Sequence, residues 1–203
     1  HGTYPYVTSS SATIGGVCTG LGIGVHSIDR VLGVVKAYTT RVGEGPFTTE
    51  LKESVGEHFR QRGLERGATT GRPRRCGWYD AVAVRYSVRV NGLDELALTK
   101  LDVMDELSEI KICTGYRFEG RILTELPSSL AKLISCEPVY ETFSGWLTRT
   151  TGVRDYHDLP IQAQRYIEKL EEISGVPITI ISTGPNREET IVRDNSYVSN
   201  AAG

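Results

Sequence analysis

The sequence predicts an α/β protein, and three observations carry that expectation. Short apolar runs rich in β-branched residues interleave along the chain with stretches of helical spacing. The clearest stripe is Leu159, Ala163, Tyr166, Ile167, Leu170 and Ile173, with Pro160 in its first turn and Gly175 past its end. Two apolar runs, Leu96 to Thr99 and Pro177 to Ile181, lead directly into small polar motifs, Thr99-Lys100-Leu101-Asp102 and Ser182-Thr183-Gly184. The carboxyl ends of strands are where open α/β sheets hold their ligands.

The remaining elements follow in order. Residues 3–24 are polar and glycine-rich and read as a loop, with a Thr/Ser cluster at Thr8-Ser9-Ser10-Ser11. The run Gly20-Leu21-Gly22-Ile23-Gly24 lacks the spacing of a dinucleotide fingerprint. Ser27 to Leu32 suggests a short helix and Gly33 to Val42 one strand, ended by Gly43-Glu44-Gly45-Pro46. Leu51, Val55 and Phe59 fall at i, i+4 and i+8, so a helix is expected over Thr49 to Gly63, capped by Thr48 or Thr49. His58 on it reads as a surface residue. Between 80 and 90 the signals conflict. Val82, Val84, Tyr86, Val88 and Val90 alternate as in a strand, yet Asp80 is a good helix N-cap and Asn91-Gly92 a good stop. The alternation favours a strand. Glu109 to Phe118 and Arg121 to Leu123 predict a hairpin around Glu119-Gly120, which is not a strong primed-turn pair. Pro138 to Thr142 is a further strand.

Composition narrows the function. The chain has 203 residues, 39% hydrophobic and 24% charged, enough for one good core. A net charge of −2 and a pI near 6.1 argue against a general nucleic-acid binder. No apolar run approaches a membrane span. The cysteines, Cys18, Cys76, Cys113 and Cys136, are scattered without a C-x-x-C pair and read as reduced thiols of a cytosolic protein. The start at His1, with no signal peptide, reads as a fragment or a processed chain.

The chemistry concentrates in three places. Gly67-Ala68-Thr69-Thr70-Gly71-Arg72-Pro73-Arg74-Arg75-Cys76-Gly77 packs three arginines, two threonines and three glycines into a loop suited to anions. Glycine admits close backbone approach, threonine adds hydroxyls and arginine a planar fork that matches carboxylate or phosphate oxygens. The spacing Lys100-x-Asp102 is that used for guanine, whose N1–H and exocyclic amine one aspartate accepts together. Adenine would leave a buried carboxylate unpaired, at about 1–3 kcal/mol or more. Ser182-Thr183-Gly184 offers backbone groups to the same base. A lone Lys-x-Asp is a weak signal, and a surface ion pair is its ordinary explanation. Two such strand ends beside an arginine loop favour guanine-nucleotide recognition. No G-x-x-x-x-G-K-[ST] loop and no Ser–His or Cys–His arrangement accompanies them. A non-catalytic guanine-nucleotide-binding module and a purely structural domain are the alternatives.

These residues resemble the adenylosuccinate synthetase family. The match runs through HGTYPYVTSS at 1–10, GGVCTGLG at 15–22, VVKAYTTRVGEGPF at 34–47, ATTGRPRRCGWYD at 68–80, LTKLDVMD at 98–105 and ISTGPNREET at 181–190. The resemblance implies a P-loop-NTPase-like synthetase fold: a mostly parallel central sheet flanked by helices, with a small antiparallel portion. It implies GTP-dependent ligation of IMP and L-aspartate through 6-phosphoryl-IMP, with Mg²⁺, in a cytoplasmic homodimer that engages neither nucleic acid nor membrane. Residue by residue it implies IMP contacts at Thr8, Val42 and Arg72. It implies an aspartate loop at Ala68, Thr69, Thr70, Gly71, Arg72, Pro73 and Arg74, and GTP contacts at Arg74, Lys100, Leu101, Asp102, Ser182, Thr183 and Gly184. It also favours a helix over 80–90. Thr48 stands where the family usually has Pro, and Pro73 interrupts the arginine run. The family's catalytic Asp and His, its Mg²⁺ ligands and its phosphate loop correspond to sequence upstream of His1, as does an arginine reaching IMP across the dimer interface. The 203 residues are therefore expected to be the C-terminal portion of a larger domain, with no catalytic or metal residue and no turnover by the chain alone.

Overall fold

A computed structural model of the chain describes residues 2–67 and 71–193. In chain order its elements begin with α1 (Gly15–Leu21), β1 (Leu32–Lys36), β2 (Thr39–Arg41), α2 (Ser54–Arg62), β3 (Arg75–Gly77), β4 (Tyr79–Asp80), α3 (Ala81–Asn91) and β5 (Glu95–Thr99). There follow β6 (Glu109–Phe118), β7 (Arg121–Leu123), α4 (Leu130–Ile134), β8 (Glu137–Ser144), α5 (Ile161–Ser174), β9 (Ile178–Ser182) and β10 (Thr190–Val192).

The central sheet runs β1-β5-β9-β10, parallel except for β10. Its inner strands are near-continuous apolar runs because both faces are covered: Leu96, Ala97, Leu98, Ile178 and Ile181 are all buried. Helix α5 supplies part of that cover. Gly175, at φ 76°, ends it in a left-handed cap, while Ala163, Tyr166, Ile167 and Leu170 disappear into the core. Each of the larger three is worth roughly 1.5–3 kcal/mol of burial. The Tyr166 hydroxyl donates to the Ala37 carbonyl at 2.6 Å, pinning the helix to the end of β1. A second sheet is built on β6, with β4 parallel and β7 and β8 antiparallel to it. A short ribbon joins β2 to β3. The mixed, mostly parallel architecture is the one expected, and among the described residues no helix is long and apolar enough to cross a membrane.

Several local expectations are corrected. Residues 80–91 are a helix, not the strand the alternation favoured: Asp80 Oδ1 accepts the Ala83 N–H at 3.2 Å, and Gly92 at φ 55° closes the other end. The cap chemistry outweighs five alternating residues because one face of α3 lies on β6 and α5. Gly33 to Val42 is two strands, broken where Tyr38 turns inward to stack on Phe59 at 4.5 Å. Ser27 to Leu32 forms no α-helix; a single 3₁₀ turn covers Val25–Ser27. Val31 instead lies just before β1, its N–H taken by the Asp94 carboxylate at 2.7 Å. Helix α2 starts at Ser54 rather than Thr49, with Glu53 at its N-cap and no side-chain cap bond. Leu51 and Thr49 are recruited by the β3 region instead, through Leu51 N to Cys76 O at 2.9 Å and Trp78 N to Thr49 O at 3.2 Å. The glycine-rich segment contains α1, closed by Gly22 at φ 68°. Glu119 and Gly120 have φ values of 48° and 74°, the positive pair of a primed turn, so that turn is of the type judged unfavourable from the sequence. His58 is half-buried, its Nε2 2.9 Å from the Val103 carbonyl.

Candidate functional site

Two of the three expected motifs meet at one edge of the central sheet. Strands β5 and β9 are parallel and adjacent with Leu98 opposite Ile181, so Thr99-Lys100 and Ser182-Thr183 leave the sheet side by side at its carboxyl end. Lys100 turns the chain with φ 64°, a left-handed conformation that costs a non-glycine residue about 1 kcal/mol or more. That reversal starts the 3₁₀ turn Leu101–Met104, and the Lys100 ammonium donates to the Gly63 carbonyl at 3.0 Å. Leu101 is fully buried. Asp102 is half-buried, and no side chain among the described residues donates to it. Burial, then the neighbouring Asp105 charge, push its carboxyl above the ordinary range, with its own N–H, Lys100 and Arg62 offsetting in part. A cavity of about 470 Å³ lies beside this turn, lined by Arg62, Asp105, Glu106, Leu147, Thr148 and Arg149.

The facing motif is held in shape by Glu189. The Thr183 N–H donates to the Glu189 carbonyl at 2.8 Å, and the Glu189 carboxylate takes the Asn186 N–H at 2.8 Å. A Cβ at Gly184 would stand 2.3 Å from that carboxylate, so only glycine fits without displacing it. The Ser182 hydroxyl donates to the Gly184 carbonyl at 2.7 Å and the Thr183 hydroxyl to Val153 O at 3.1 Å.

The arginine loop springs from the same side. Its described part closes through Gly67 N to Arg72 O at 2.8 Å and Gly71 N to Gly67 O at 2.9 Å, while Ala68, Thr69 and Thr70 lie outside the described residues. Arg72, Pro73 and Arg74 form its descending limb. Beneath it sits Glu65, only 3% exposed. Both Glu65 oxygens accept from the Lys36 ammonium at 2.7 Å, and one also accepts the Tyr38 hydroxyl at 2.6 Å. Arg74 adds a single longer contact from Nη1 at 3.2 Å, and its Nε is buried with no partner. Burial would raise the Glu65 carboxyl, but the bonds from Lys36 and Tyr38 and the charges of Lys36 and Arg74 hold it below its ordinary value. Arg75, the next residue, is different: it grips Glu50 with two bonds at 2.7 and 2.6 Å and the Gly45 carbonyl at 2.9 Å.

Thr8 and Val42 lie apart from the strand-end motifs in sequence, yet the ribbon brings Val42 toward the loop. Arg41 pairs with Arg75 across β2 and β3, which makes Val42 the next position opposite Arg74. Thr8 is exposed, accepts the Ser10 N–H at 3.2 Å and lines a groove of about 370 Å³ with Thr3, Tyr6 and Thr13. Arg41 ties that segment to β2 by donating to the Thr3 hydroxyl at 2.9 Å. Among the described residues no hydrogen bond joins Thr8 to Lys100, Asp102 or Ser182.

Lys36, Tyr38 and Glu65 are absent from the residues expected at the site. Lys36 had a usable signal, since it ends β1 at the same sheet edge as the other two motifs. Glu65 had none, because its partners are 29, 27 and 9 residues away. Among the described residues no group of three or more His, Cys, Asp or Glu side chains is placed to hold a metal ion.

The comparisons with known proteins agree with this geometry. The family model described as adenylosuccinate synthetase matches residues 1–191. Adenylosuccinate synthetase of Heliobacterium modesticaldum is 58% identical over 191 residues, which cover 94% of this chain and 45% of that protein. The enzyme of Geobacter sulfurreducens is 54% identical, covering 97% of this chain and 46% of its own length. The solved structure of fully ligated adenylosuccinate synthetase from Plasmodium falciparum superposes with a TM-score of 0.92 at 45% identity, over 95% of this chain and 46% of that one. The chain thus spans under half the length of the curated relatives it matches. Sequence motifs, strand-end geometry and similarity agree: this chain belongs to the adenylosuccinate synthetase family.

Proposed function

We propose that this chain supplies the guanine, aspartate and part of the IMP subsites of a GTP-dependent ligase that joins IMP to L-aspartate to form adenylosuccinate. The observation that carries this is the emergence of Lys100–Asp102 and Ser182–Gly184 side by side from adjacent parallel strands. The Asp102 carboxylate accepts N1–H and the exocyclic amine of guanine, and so gains the donors it lacks in the free chain. The Lys100 stem lies along the base, and the backbone of Leu101 and of Ser182–Gly184 completes its edge. Arg74 reaches the nucleotide phosphates: its side chain is partly exposed and holds Glu65 by a single bond, which makes it the available cation of the cluster. The loop from Ala68 to Arg74 takes the carboxylates of aspartate, with Arg72 shared between aspartate and IMP. Thr8 meets the IMP phosphate and the Val42 backbone the IMP sugar.

Among the described residues no group of three or more His, Cys, Asp or Glu side chains offers the family's Mg²⁺ a set of ligands. Residues 1–203 are proposed to be the C-terminal portion of one larger synthetase domain, acting in the cytoplasm as a homodimer. Family membership and the greater length of the relatives support this. Titration of the chain with fluorescent GDP, displaced by unlabelled GDP, ADP, IMP or aspartate, tests the assignment. Displacement by GDP at concentrations at least tenfold below ADP is expected, with a shift in GDP affinity when IMP or aspartate is added. Equal displacement by ADP would refute it.

A further inference from the structure

Resting on the assignment of Arg74 to the nucleotide phosphates, we infer that Lys36 is a positioning residue whose task is to neutralise Glu65 and so keep Arg74 available. Four groups share one buried carboxylate or its neighbourhood: Lys36, Tyr38, Arg74 and, through its charge on Lys36, Lys100. Their bonds are unequal. Lys36 takes both Glu65 oxygens at 2.7 Å and completes itself with the Thr40 hydroxyl at 3.0 Å. Arg74 gets one bond at 3.2 Å although its planar fork is built to hold a carboxylate with two. The partnerless, buried Nε shows that it has not turned to make the second. The backbone already places Arg74, since its N–H donates to the Glu65 carbonyl at 2.9 Å. A buried carboxylate beside two cations is satisfied by the one that binds it twice. Lys36 fills that role and leaves Arg74 in place with donors to spare.

Removing Lys36 reverses the preference. Glu65 then needs a cation, and the nearest is Arg74, whose fork turns onto it as a closed pair. The charge meant for the ligand is lost although Arg74 itself is intact. Removing Glu65 along with Lys36 takes away the competitor and frees Arg74 again. A merely structural role for Lys36 predicts the opposite, with the double variant no better than the single one.

The experiment titrates the full chain and its Lys36→Met, Glu65→Gln and Lys36→Met/Glu65→Gln variants with GTP, guanosine, adenosine and inorganic tripolyphosphate by calorimetry, with thermal melts as the folding control. In the wild type GTP is expected to bind more tightly than guanosine. That ratio falls about tenfold or more in Lys36→Met, is not lowered in Glu65→Gln, and returns to within about threefold of wild type in the double variant. Tripolyphosphate follows the same order. An unchanged ratio in Lys36→Met, a lowered one in Glu65→Gln, a double variant as weak as Lys36→Met, or no phosphate increment in the wild type overturns the inference. Should Lys36→Met fail to fold, the Glu65→Gln and double-variant arms still decide it. Equal binding of guanosine and adenosine, with the tripolyphosphate order intact, overturns the guanine assignment and leaves the role of Lys36 standing.

Discussion

Asp102 and Asp105 stand three residues apart at the same turn after β5, and they are in opposite conditions. Asp105 is buried and fully engaged: it accepts the Trp146 indole N–H at 2.8 Å, the Thr150 N–H at 2.8 Å and the Thr150 hydroxyl at 2.7 Å. Asp102 is half-buried with no side-chain donor, and burial pushes its carboxyl upward. Arg74 and Arg75 repeat the contrast at the other side of the site, the first with an orphaned nitrogen and the second bonded at every turn. Residue type does not separate a binding group from a structural one in either pair. Unmet hydrogen-bonding capacity does, because a group left half-desolvated without partners is stabilised by whatever ligand supplies them.

The largest expected effect comes from the aspartates. Asp105→Ala strands three buried donors and should cost about 3–5 kcal/mol in a urea unfolding experiment. Asp102→Ala should change stability by less than about 1 kcal/mol while removing guanine preference. Similar losses for both would erase the distinction. The arginines come next. Arg75→Gln breaks the bidentate bond to Glu50 and the contact with Gly45, worth about 2 kcal/mol for a partly exposed pair. Arg74→Gln should stay within about 1 kcal/mol of wild type and lose the phosphate contribution to GTP binding instead.

Smaller effects appear in the pH dependence. A carboxyl whose folded pKa is raised takes up its proton more readily in the folded state, so stability falls as pH rises through that pKa. For Asp102, Asn substitution should therefore stabilise the chain slightly at neutral pH, by no more than about 0.5–1 kcal/mol after solvent screening. The gain should vanish as the solution is acidified through the raised pKa. Guanine affinity should fall over the same window, since the protonated acid loses its second acceptor site. Glu65 has the other sign: its folded pKa is depressed, and its contribution, present above the unfolded value, is lost as pH falls through the folded one. Melting curves of wild type and Asp102→Asn between neutral and acid pH separate the two.

Much of this was legible in the sequence, for physical reasons. The stripe of α5 spans four turns, and β5 and β9 carry apolar runs at Leu96–Leu98 and at Ile178, Ile180 and Ile181, so their patterns survive any local accident. The strand-end motifs could be paired because parallel strands deliver their carboxyl ends to one edge. What escaped depended on distant partners. The Thr49 segment reads as helix until β3 claims its backbone, and Val31 reads as helix until Asp94 does. The valines of α3 mislead because alternation over five residues also occurs in a helix with one buried end, where only Ala81 and Val82 are fully covered. Glu65 carries no local signal, and only the folded chain shows that it gathers Lys36, Tyr38 and Arg74.

Asp102, which has its own N–H but no side-chain donor among the described residues, is kept open for guanine, and one exchange of chemistry tests this most directly. Asp102→Asn replaces two acceptor oxygens by one acceptor and one donor. Guanine, with donors at both N1 and the exocyclic amine, then meets a mismatched NH₂, whereas xanthine offers N1–H beside a carbonyl and fits it. Calorimetric titration of both proteins with GDP and xanthosine diphosphate reads the outcome. The wild type should prefer GDP, and Asp102→Asn should prefer the xanthine nucleotide, each by about tenfold or more. A variant that keeps its preference for GDP would show that the base lies elsewhere, and the account of this site would fail.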